Sequence, residues 1–244
     1  MAKEKENAGL VKFDESKLAK LNQVTTELEV AKTYDVMKQS CSKVAHRKIL
    51  LEILDDNFMD VFVMPGMNTD SGFRTDKDPA QTNSKTGKPY EPYPAEVVRE
   101  CVADAILYGL TWTNNQMNII SGRMYPTKNG YTYKLENEGV KSSIVAGIPR
   151  MKDGGALIDM TIEWLYKGQK GSKTLTFAIR VNAGMGVDAI VGKAKRKIKA
   201  WLWENLTGQD LGDVDVTEDI QTIDVTAETV KPSAQTAFEE TLNV

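Results

Sequence analysis

The spacing of apolar residues changes twice in the last third of the chain, and each change marks an element. Over residues 156–167 apolar and polar positions alternate. Ile158, Met160, Ile162, Trp164 and Tyr166 take one face and Asp159, Thr161, Glu163 and Lys167 the other, with Leu165 the exception. A period of two is a strand with one covered face. After the polar turn GQKGSK the pattern returns over 173–182, with Leu175, Phe177, Ile179 and Val181 inward and Thr174, Thr176 and Arg180 outward. Over 187–206 the spacing lengthens to that of a helix, carrying Val187, Ile190, Val191, Ala194, Ile198 and Leu202 in one stripe with Trp201. At about 100° per residue, Lys193, Lys195, Arg196 and Lys199 spread over the opposite face and Lys197 lies on a flank. No carboxylate lies between Ile190 and Trp203 to neutralise them, and Trp203 projects on the basic side.

Upstream, residues 1–40 are charged and only loosely periodic, an N-terminal arm that is helical or disordered. Residues 44–63 predict a helix carrying Ile49, Leu50, Ile53, Leu54, Phe58 and Phe62, stopped by Pro65-Gly66. The stretch 65–93 is crowded with turn formers and reads as a mobile excursion. Pro94 opens another helix, with Val98, Cys101, Val102 and Ala105 inward and Gly109 as terminator. Strands are then predicted over 117–125 and 131–135, flanking PTKNG, whose Asn129-Gly130 is a hairpin signal. A further extended run covers 141–150, and Lys152-Asp153-Gly154-Gly155 turns it into the alternating strand. The order is helix, hairpin, three-strand meander, helix. This is an α+β fold, an antiparallel meander with hairpin packed by flanking helices, in one domain over 41–206.

Composition adds limits. The chain has 244 residues, enough for a sizeable core, and no apolar run approaches the ~18 residues that span a bilayer. Its start lacks the apolar segment of a secretory signal, and Cys41 and Cys101 are the only cysteines. A reducing, cytoplasmic setting without membrane association is expected. The net charge of −3 conceals a segregation. From Thr207 onward nine acids face one base, Lys231; with 34 acids and 31 bases in all, 25 acids and 30 bases precede it. The body is therefore +5 and the tail, 207–244, is −8. Such a tail is expected to be disordered, or to shield a polyanion site on the body.

Catalytic chemistry is sparse. His46 is the single histidine, beside Arg47 and Lys48, and reads as a surface residue. Glu52, Asp56 and Asp60 share a face of the 44–63 helix, as two-metal nuclease carboxylates would, but also as the solvated side of an amphipathic helix would. No GxxxxGK[ST] loop occurs. Gly184 and Gly186 permit a sharp strand-to-helix turn or a close approach to an anion. Neither an enzyme nor a resident metal or cofactor is expected. The basic helix instead is a plausible seat for a phosphate backbone, and Arg123, Tyr125, Lys128, Tyr131, Tyr133 and Lys134 interleave cations with aromatics, as single-strand binders do. Trp203 could stack on a base or pack at a subunit interface.

Two segments, ADAILYGLTWTNNQMNIISGRMYPTKNGYTYKL and AIVGKAKRKIKAWLWENLTG, give the chain a likeness to a known family. Over roughly residues 95–210 it resembles the RecT-like phage single-strand annealing proteins, in the superfamily that includes Red-beta and ERF recombinases. The resemblance implies a β-β-β-α core in a non-enzymatic, ATP-independent protein that binds single-stranded DNA and anneals complementary strands. It also implies a homo-oligomer, ring or helical filament, working with a phage exonuclease and a host single-strand-binding protein. Carried onto this sequence, the phosphate contacts fall to Lys193, Lys195, Arg196, Lys197 and Lys199, assisted by Arg123 and Lys128 or Lys134. A scaffold protein assembling through the basic helix and the acidic tail is the alternative.

Overall fold

The computed structural model describes residues 15–83, 86–152, 154–182 and 184–211. Helices and mostly antiparallel strands make an α+β architecture with sheets of three and four strands. Helices α1 (Glu15–Ala31) and α2 (Val36–Ile53) pack together, burying Val24, Leu50 and Ile53. Part of the presumed arm is thus built into the body. Asp35 starts α2, its carboxylate accepting from the Lys38 amide at 2.9 Å. The helix then ends sooner than the apolar run implies. Asp55 caps a new turn by accepting from the Phe58 amide at 2.9 Å, and α3 (Asp56–Phe58) runs into a π turn over Met59–Val63 and a 3₁₀ turn over Met64–Gly66. The single helix expected over 44–63 is therefore broken at Leu54, because an aspartate favours an N-cap over a helix interior.

The stretch after it is anchored rather than an excursion. Phe73 is fully buried, and β1 (Arg74–Thr75) pairs in parallel with β2 (Met117–Ile120). Tyr93 donates its hydroxyl to Asp76 at 2.9 Å and accepts from the Gly122 amide at 2.8 Å. Helix α4 (Ala95–Leu107) follows Pro94 as expected, with Val98, Cys101, Val102 and Ala105 in the core.

The hairpin lies one turn earlier than Asn129-Gly130 suggests. β2 pairs with β3 (Arg123–Pro126) through Ser121 and Gly122, whose φ values of 52° and 72° suit a two-residue hairpin turn. Residues 131–135, expected as its second strand, belong to helix α5 (Lys128–Asn137). Thr127 is the reason. Its hydroxyl accepts from the amides of Asn129 and Gly130, at 3.1 and 3.2 Å. Gly130 is there for close packing, since a Cβ would lie 2.2 Å from the Gln116 carbonyl oxygen.

The meander follows. β4 (Lys141–Ala146) and β5 (Arg150–Lys152) are two pieces of one edge, both antiparallel to β6 (Gly155–Tyr166). β6 pairs without interruption with β7 (Gln169–Arg180), from Gly155↔Arg180 to Tyr166↔Gln169. Only Lys167 and Gly168 turn the chain, so the residues 169–172 expected as loop are strand, with the Trp164 ring lying against Gly171. Ile158, Met160, Ile162, Leu175, Phe177 and Ile179 face helix α6 (Val187–Thr207) and are buried. Gly208 caps α6 with φ 68°, and Leu211 is 2% exposed, so the body continues past 206. The tail beyond Leu211, and its expected disorder, lie outside the described residues.

Buried apolar side chains form two clusters. One joins α1 to α4 with the β1–β3 sheet; the other joins α5, the meander and α6. Tyr108 packs against both. Among the described residues no helix is long and apolar enough to cross a membrane.

Candidate nucleic-acid interface

Helix α6 is held by Ile190, Ala194, Ile198 and Leu202, each at most 2% exposed against the sheet. At about 1.5–3 kcal/mol for each large side chain, this burial fixes the helix orientation and leaves the cations to adapt. They are not arrayed on one open face. A second side of α6, carrying Arg196, Ala200 and Trp203, is covered by α5 and the β2–β3 hairpin. Arg196 is 6% exposed, its guanidinium 4.4 Å from the centre of the Tyr125 ring. Lys197 is buried and reaches the Ala178 carbonyl at 3.4 Å. Trp203 is 1% exposed with the Lys134 ammonium over its ring at 4.7 Å. Arg196, Lys197 and Trp203 are thus buried in packing contacts and Tyr125 is half-buried against Arg196, so none of the four stands on an open cationic face. The missed signal is local: Ala200 and Trp203 sit one turn apart beside Arg196, an apolar strip on the supposedly solvated side.

Lys134 is likewise withdrawn from the surface. It points away from α6's groove and is buried on the other side of α5. Arg123 is exposed on β3, and Lys193 is exposed at the β7 end of α6, reaching the Arg180 carbonyl at 3.4 Å.

Two of the expected residues line one groove with a lysine that was not foreseen, and a third stands close by. Between α5, α6 and β4 runs a groove of about 430 Å³, lined by Lys195 and Lys199 from α6, Lys141 and Ser142 from β4, and Thr132 and Glu136 from α5. Lys128 stands one helical turn before Thr132, whose hydroxyl donates to its carbonyl at 2.7 Å. Lys199 donates to the Thr132 hydroxyl. Burial pulls the Lys199 ammonium below the ordinary lysine range; Glu136 opposes the shift, while Lys128 and Lys195 add to it. Three lysines therefore line this groove with one carboxylate, and Lys128 adds its charge from beside it. Such an arrangement can neutralise successive phosphates and has hydroxyls to orient them. Lys141 carries no sequence signal of its own, because only strand pairing brings β4 beside α6.

The remaining chemistry is accounted for by packing. His46 is buried rather than on the surface, with Nε2 2.8 Å from Glu27 and Nδ1 2.8 Å from the Ser42 carbonyl, tying α1 to α2. Burial pushes the Cys101 thiol up to about 12. Asp56 pairs with Arg99, and the break at Leu54 takes Glu52 and Asp56 off a common helix. Among the described residues, no three His, Cys, Asp or Glu side chains converge to hold a metal ion. Gly184, with φ 82°, serves the turn into α6, which Gly186 caps.

Comparison with family models, curated proteins and solved structures gives no match for this chain.

Proposed function

We propose that the protein binds single-stranded DNA along the groove between α5, α6 and β4 and anneals complementary strands without ATP. One observation carries this reading: Lys141, Lys195 and Lys199, from two different elements, line one groove with Glu136 as the only acid among its lining residues, and Lys128 of a third element stands close enough to act on Lys199. Solvated lysines on a helix face would be dispersed by their own repulsion, so their convergence favours a polyanionic occupant. The groove leaves bases outward while phosphates sit inward. Two strands whose backbones are neutralised in this way can approach and sample pairing. The likeness to RecT-like annealing proteins in residues 95–210 agrees with the chemistry, and a homo-oligomer would repeat a weak site into avidity.

The test is annealing of two complementary oligonucleotides, one labelled, with no nucleotide cofactor and over a range of salt. Wild-type protein is expected to accelerate duplex formation, with the effect fading as salt rises. Acceleration that is absent at low salt, or that requires ATP, overturns the reading.

A further inference from the structure

Lys134 lies in the last turn of α5, and its side chain has a setting unlike any other lysine described. The residue is 6% exposed, and no described residue forms a hydrogen bond with its ammonium. Its nearest aromatic neighbour is the Trp203 ring, 4.7 Å away, a favourable face for a cation but one that takes none of its three N–H donors through an oxygen. Gly109 makes room for it: with φ 69°, it would place a Cβ 2.9 Å from Nζ were it any other residue. An ammonium withdrawn from bulk water without an oxygen acceptor is costly, and proteins retain one mainly where it is used.

The ammonium lines two adjoining cavities between α1, the end of α4 and α5. The smaller, about 110 Å³, also takes in Glu29 of α1, Lys32 just after it, Lys43 of α2 and Asp210 beyond α6. The larger, about 530 Å³, opens past Asn22, Thr25, Thr111 and Tyr133. Lys32 is already paired with Glu29 and Glu138, at 2.5 and 3.4 Å. Lys43 is exposed at the rim, over the Tyr108 ring at 5.5 Å. The small cavity has room for several water-sized atoms, enough for a tetrahedral oxyanion.

We infer that this cleft binds a phosphoryl group, which accepts from Lys134 at the inner end and from Lys43 and Lys32 at the mouth. The site is separate from the annealing groove, on the opposite side of α5, so it stands whether or not that groove binds DNA. Its source is either free phosphate or the terminal phosphate of a strand entering through the larger cavity. Burial and the nearby Lys32 and Lys43 hold the Lys134 ammonium down to about 8, while Glu29 and Glu138 oppose the shift. Glu29, Tyr108 and Asp210 also face the small cavity, and Glu29, Tyr133 and Glu138 line the larger one. A bound dianion would favour the charged lysine, so affinity should be highest below pH 8 and fall as pH rises past it.

The experiment is titration of the full chain with inorganic phosphate by calorimetry, against chloride at matched ionic strength. Wild-type protein is expected to bind phosphate and not chloride, with affinity falling between pH 7.5 and 9. Lys134→Met should weaken binding about tenfold or more, the worth of a charge-assisted hydrogen bond. Lys43→Ala, at an exposed position that leaves folding intact, should weaken it severalfold. Equal response to phosphate and chloride, or unchanged affinity in both variants, overturns the proposal. Oligonucleotides with and without a 5′-phosphate identify the source. Tighter binding of the phosphorylated strand, lost in Lys134→Met, assigns the site to strand ends; equal binding of both, alongside phosphate binding, assigns it to the free ion.

Discussion

Replacing Lys141, Lys195 and Lys199 together by Gln leaves a single lysine, Lys128, beside the groove. For single strands each neutralised phosphate contributes about 0.7 to the slope of log affinity against log salt. Four lysines give a slope near −2.8, which is roughly a 50-fold loss of affinity between 50 and 200 mM salt; one lysine gives about a threefold loss. The change in slope, about 2, does not depend on contacts made elsewhere and is the quantity to measure. Lys141 is exposed, and Lys195 and Lys199 are partly so, with one hydrogen bond lost from Lys199 to Thr132, about 0.5–1.5 kcal/mol. The variant should therefore fold. Fluorescence anisotropy with a labelled oligo-dT at four salt concentrations gives the slope, with Lys48→Gln on α2 as the control that leaves it alone. A folded triple variant that keeps the wild-type slope removes the groove from the site.

Other predictions concern the scaffold. Lys134→Met should stabilise the protein at pH 7 by up to about 3 kcal/mol, measured by urea unfolding. The sign follows from its lowered pKa: between about 8 and 10.5 the unfolded chain holds the proton and the native state does not. Native stability therefore rises with pH across that window, and the advantage of the Met variant shrinks to nothing by its upper end. Arg196→Ala and Tyr125→Ala should each destabilise, with a coupling energy of about 1–2 kcal/mol in a double-mutant cycle; simple additivity would show that the stack carries no energy. Gly130→Ala should cost more than about 2 kcal/mol through the clash with the Gln116 carbonyl, whereas Gly192→Ala, with open space around it inside α6, should gain about 0.5–1 kcal/mol. Thermal melts of the two variants compare them directly.

The meander and the basic helix were legible because their patterns are local. Alternation in β6 and β7 states which face is buried, and the stripe from Ile190 to Leu202 states which side of α6 meets the sheet. What the sequence hid are choices made by neighbours. Tyr131 and Tyr133 look like strand residues, but the Thr127 cap and the contact of Gly130 with Gln116 select a helix. Arg196 and Lys197 look solvated, but Tyr125 of the hairpin covers Arg196 and Lys197 is buried against the Ala178 carbonyl of β7, while two more lysines line the gap beside β4. Charge density on a helix shows that cations exist; which of them water can reach is decided by elements far away in the chain.

Helix α6 meets the half built from α1–α4 and the β1–β3 sheet through the cation–ring contact of Arg196 with Tyr125, and Tyr108 packs against both apolar interiors. Water admitted at that seam would wet little hydrocarbon. The two halves should consequently behave as separate cooperative units, able to part and rejoin at modest cost, and amide hydrogens on either side should exchange as two families with different free energies of opening. A body built in two such pieces can open between them without melting either one.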